Sequence, residues 1–148
     1  RPAELPAKPD GRRGLTALKP PPADAHARDL WLQHAAGWIV IRDVRQRALS
    51  RIDPSLPEAA QAAARQAVDD TVYALMQYMD GVSGQLDGPN FSLELHTSIA
   101  LLDADGKVAQ ALDLRDGDGM CMGFHGWVAG DFGADLLANS PDNGDAQS

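Results

Sequence analysis

The chain has 148 residues, a net charge of −8, 5% aromatic residues and one cysteine. That length suits one domain with a core large enough to fold without staples. A single cysteine excludes an intrachain disulfide, and no apolar run approaches the roughly 20 residues of a membrane span.

Charge is divided unevenly along the chain. Residues 1–65 hold eleven Lys or Arg against seven acids, whereas residues 66–148 hold only Lys107 and Arg115 against fourteen acids. Such a split either pairs internally, keeps the surface solvated, or presents an acidic face to a basic partner.

Residues 1–23 are rich in Pro, Ala and basic residues and predict an extended N-terminal arm, with Leu15 and Leu18 as its anchors. Its bases are few and no aromatic interleaves them, which weighs against nucleic-acid binding.

A first helix is predicted over 24–52, with Asp24 as its N-cap. Its apolar stripe runs through Leu30, His34, Gly37/Trp38, Ile41, Val44, Ala48 and Ile52. The β-branched run after Gly37, Trp38 to Ile41, leaves a strand open as the alternative. His34, on the stripe, reads as a core or boundary histidine rather than a ligand.

A second helix is predicted over 55–80. Ser55 and Glu58 have the spacing of a capping box, and Pro57 suits a first turn. Its stripe is Ala60, Ala64, Ala67/Val68, Thr71, Val72/Leu75 and Met79. The short break between the helices makes an αα-hairpin. Asp69 and Asp70 diverge by about 100° around the helix and do not converge on one atom. Gly81 is placed to cap the helix C-terminus, and residues 81–89 read as a loop.

Residues 90–102 alternate strictly and predict a strand. Phe91, Leu93, Leu95, Thr97, Ile99 and Leu101 face one way; Ser92, Glu94, His96, Ser98 and Ala100 face the other. Asp103 to Gly106 is a turn and 107–114 the returning strand. Residues 134–148 read as an acidic, weakly ordered tail.

Rare residues gather in Asp113–Gly133. Its aspartates do not make a calcium loop: counted from Asp113, position 3 is Arg115 and position 12 is Phe124, and counted from Asp103, position 5 is Lys107. A strand is predicted over 120–128, with Met120, Met122, Phe124 and Val128 on one side and Cys121, His125 and Trp127 on the other. Strand spacing would hold the Cα atoms of Cys121 and His125 about 13 Å apart. No phosphate-binding glycine spacing is present.

These elements imply an α+β fold: an αα-hairpin packed on a small antiparallel sheet of about three strands, within a single domain over 24–133. The expected function is that of a cytoplasmic, acidic, non-enzymatic interaction protein with a basic protein partner, of immunity or antitoxin type. Glu94, His96, Asp116, Asp118, His125, Trp127 and Asp131 are its candidate binding residues, on an open acidic sheet face. No catalytic residue, metal or cofactor is assigned, and no membrane. The alternative is an enzyme or metal protein built on Cys121 with His96 or His125. A homo-oligomer that covers an exposed sheet edge or an apolar helix stripe with a copy of itself is also open.

Overall fold

The computed structural model describes residues 18–138. Most of the predicted arm, and the tail beyond residue 138, lie outside the described residues. The architecture is α+β, with a long first helix, a second long helix, a short third one and two small antiparallel two-stranded sheets.

The first helix begins at Ala25, where the Asp24 carboxylate accepts the Ala27 N–H at 2.8 Å. It runs as α1 (Ala25–Ile39), a π-helical segment (Val40–Arg45) and a final turn, α2 (Gln46–Leu49). The β-branched run at Trp38–Ile41 is therefore helical. Its backbone loosens to the wider π winding as it passes α3 (Glu58–Met79), on which the segment packs. Arg45, in that segment, reaches the Asp69 carboxylate at 2.6 Å.

The buried face differs from the predicted stripe. Trp31, Leu32, Gln33, Ala36, Gly37, Val40 and Ile41 are buried, whereas Leu30 and Val44 are exposed. On α3 the buried residues are Val72, Met76 and Met79, all in its C-terminal half. The predicted capping box does not form. Pro57 is the N-cap, and Gln61 reaches back to the carbonyls of Pro54 and Leu56. At the other end Gly81, at φ 78°, closes a Schellman turn: its N–H donates to Tyr78 and that of Val82 to Gln77.

The predicted strand over 90–102 is divided. β1 (Gln85–Asp87) pairs with β2 (Ser92–Glu94), and β3 (Ser98–Leu102) pairs with β4 (Val108–Asp113). β1 lies in the stretch expected to be loop. The Asp103 turn forms as predicted, with one carboxylate oxygen accepting the N–H groups of Asp105 and Lys107.

The largest correction concerns 120–128. It is not a third strand but a helix, α4 (Met120–Val128). Met120, Phe124 and Trp127 recur at helical spacing and are all buried. Gly130, at φ 90°, ends the helix in a second Schellman turn.

α1 lies between the β3–β4 hairpin and α4, and α4 also packs on α3. Leu112 and Leu114 complete this core from the β side. Leu18 bridges to Leu137, and Leu136 is fully buried, so the first residues of the predicted tail are docked rather than loose.

Candidate functional site

The seven predicted binding residues do not form one face. Trp127 is 1% exposed. Once 120–128 is a helix, its position seven residues after Met120 turns it into the core. Asp116 and Asp118 lie on the loop before α4, beside His26, Asp29 and Gln33. Asp131 accepts the Gly133 N–H beyond α4. Only Glu94 and His96 meet. They stand on the solvent side of the sheet with Asp113 and Arg115.

In that cluster His96 Nδ1 lies 2.5 Å from Asp113 and Nε2 lies 2.8 Å from Glu94. Both partners are acceptors, so the doubly protonated ring satisfies both. The Asp113 contact, followed by the Glu94 contact, raises the His96 pKa, and the same bond lowers that of Asp113. The raised histidine contributes stability that is complete below its ordinary pKa and is lost as pH rises through the folded value. Asp113 also accepts the Arg115 N–H, and Arg115 lies 3.4 Å from Glu94. Glu94 and His96 are exposed, Arg115 is largely covered, and the charges pair with one another, which makes the network a surface strut.

His125 belongs elsewhere. It lines a groove of about 540 Å³ between α3 and α4, with Gln66, Asp69, Asp70, Tyr73, Gln77 and Phe124. Gln66, Asp70, Tyr73 and Gln77 follow one another at intervals of four, three and four, which is one stripe of a helix. That polar stripe was available in the sequence as a signal. The Tyr73 and Phe124 rings meet edge to face at 5.4 Å, and Phe124 and His125 at 5.2 Å. Gln66 donates to Asp70 at 2.8 Å. Asp69 is engaged by Arg45, so among the described residues Asp70 is the wall's carboxylate without an ion-pair partner closer than 4 Å.

Helix geometry brings Cys121 and His125 one turn apart, contrary to the expected strand spacing. Their surroundings nevertheless diverge. His125 is exposed at the groove, while Cys121 is held among Asp80 and Tyr73. Burial, and then the Asp80 carboxylate, pushes the thiol up to about 11. Asp80 is committed to capping α4, accepting the N–H groups of Met120 at 2.5 Å and Cys121 at 2.9 Å. Among the described residues, no group of three or more His, Cys, Asp or Glu is arranged to hold a metal ion.

A thiolate so disfavoured is a poor nucleophile at neutral pH. Iodoacetamide at pH 8 is expected to alkylate the folded protein on the order of a hundredfold more slowly than the urea-unfolded chain. Equal rates would contradict the environment described for Cys121.

No family model, curated protein or solved structure matches this chain. Among the described residues, no helix is long and apolar enough to cross a membrane.

Proposed function

We propose that the chain is a non-enzymatic, acidic interaction protein that grips a cationic segment of a basic partner protein in the α3–α4 groove. The observation that carries this reading is the groove's lining: the Asp70 carboxylate beside the rings of Tyr73, Phe124 and His125. A guanidinium or ammonium group is attracted both by a carboxylate and by an aromatic face. The −12 charge of residues 66–148, two bases against fourteen acids, adds long-range attraction for such a partner. An immunity- or antitoxin-type protein that blocks a basic target in the cytoplasm is the concrete form. The enzyme alternative loses support because burial and the Asp80 carboxylate hold the Cys121 thiol protonated.

The test is calorimetric titration with an octa-arginine peptide at low salt. Asp70→Asn and Tyr73→Ala are each expected to weaken binding about tenfold, or roughly 1.4 kcal/mol. Asp116→Asn with Asp118→Asn, away from the groove, is expected to change affinity less than threefold. Equal losses in both sets would reduce the effect to net charge and overturn the groove as the site.

A further inference from the structure

The β1–β2 hairpin carries its apolar residues away from the core. The alternation that buries Leu112 opposite Ile99 continues into β2, but every residue of β2 is exposed. Leu86 stands directly opposite Leu93, and Leu95 continues the ladder through its N–H to Gly84. Leu86, Phe91, Leu93 and Leu95 are between 58% and 69% exposed, and Val82 at the hairpin's root is 73% exposed.

The two faces of the hairpin are chemically distinct. Gln85 faces Glu94, and Asp87 faces Ser92. Both charges of the hairpin therefore lie on the face opposite Leu86 and Leu93. The root is pinned to the body, with Thr97 donating to the Tyr78 hydroxyl and Arg115 to the Leu95 carbonyl. The face is thus held in place and, among the described residues, uncovered.

We infer that this face is covered by the same face of a second copy of the chain, in a two-fold dimer. Leu86, Phe91, Leu93 and Leu95, each more than half open, make a patch of roughly 500 Å², at the upper end of what monomeric proteins expose. Closing two such patches on each other removes about 1,000 Å² in total, the size at which specific interfaces begin. A two-fold contact requires a self-complementary surface. This one qualifies because it is apolar throughout and keeps its acids on the reverse side, so the twins bring no like charges into opposition. It offers no charged or hydrogen-bonding side chain by which a different partner would be selected.

The inference is independent of the groove, which lies between other elements. It is tested on the full chain by sedimentation velocity between about 1 and 100 μM, across the micromolar range typical of a small interface. The wild type is expected to reach twice the 15.8 kDa of one chain. Leu93→Lys and, separately, Leu86→Lys are expected to raise the dimer dissociation constant at least a hundredfold. Neither should alter the circular dichroism or octa-arginine binding, since both side chains project from the body. A wild type that stays monomeric at the highest concentration, or a dimer that survives both lysines, would overturn the proposal.

Discussion

Trp127→Ala is expected to lower the free energy of unfolding by about 3–5 kcal/mol, the range for a large aromatic removed from a packed core. Few positions in this chain could show so large an effect, because aromatics are only 5% of it and much of the core is aliphatic. The indole is 1% exposed and occupies the junction of α1 and α4. Its Nε1–H donates to His34 Nδ1 at 3.0 Å, and the two rings stand edge to face. Truncation removes apolar contact on both helices and leaves a half-buried imidazole nitrogen without its donor. Against a total stability of about 5–15 kcal/mol, such a loss brings the protein near its unfolding threshold. Urea unfolding at pH 7 measures it, and a change below about 1 kcal/mol would show that the indole is not seated as described.

The same bond sets a pH dependence. His34 accepts at Nδ1 and so carries its proton on Nε2 when neutral. Burial lowers its pKa, against the opposing pull of Asp131 and Asp135. The unfolded chain therefore binds a proton at this residue before the folded one does. Its contribution is present above the ordinary histidine pKa and declines as pH falls from there towards the folded value. His96 runs in the opposite sense, because its pKa is raised.

How much of this was legible follows from where each determinant sits. The Asp24 cap, the Gly81 stop and the Asp103 turn are local, and each forms as predicted. α4 is not legible locally because its determinants are distant. The cap on its first N–H groups comes from Asp80, about forty residues earlier. Its glycines argue against a helix when propensity is considered alone. Yet a Cβ on Gly123 would stand 2.3 Å from the Trp127 ring, so that glycine serves packing. Met120, Phe124 and Trp127 at i, i+4 and i+7 were the competing signal, masked by accidental alternation with Met122. The β2 alternation was real but does not imply burial, since nothing in it shows where the covering helix ends. The groove is not legible in the sequence because its two walls come from α3 and α4, and the second wall exists only once 120–128 is helical.

Gly37 is the complementary test, by addition rather than removal. A Cβ on this residue would lie 2.4–2.6 Å from three ring carbons of Trp127, closer than real contacts permit. The residue is helical, so Ala suits its backbone better than Gly by up to about 1 kcal/mol. Gly37→Ala is nevertheless expected to cost about 1–3 kcal/mol, the usual range for overpacking, because the indole cannot retreat. Gly123 closes its other side, and His34 holds its N–H. The sign of the change decides between propensity and packing, since propensity predicts stabilisation. A double-mutant cycle gives the cause. Trp127→Phe shortens the ring system, so Gly37→Ala in that background should recover at least about 1 kcal/mol of its cost. Strict additivity of the two changes would mean that the clash lies elsewhere. Recovery would show that the helix-interior glycine of α1 makes room for the indole. In that case the contact that organises the 120–128 segment is structural, and the binding surface must be sought at the groove and the hairpin.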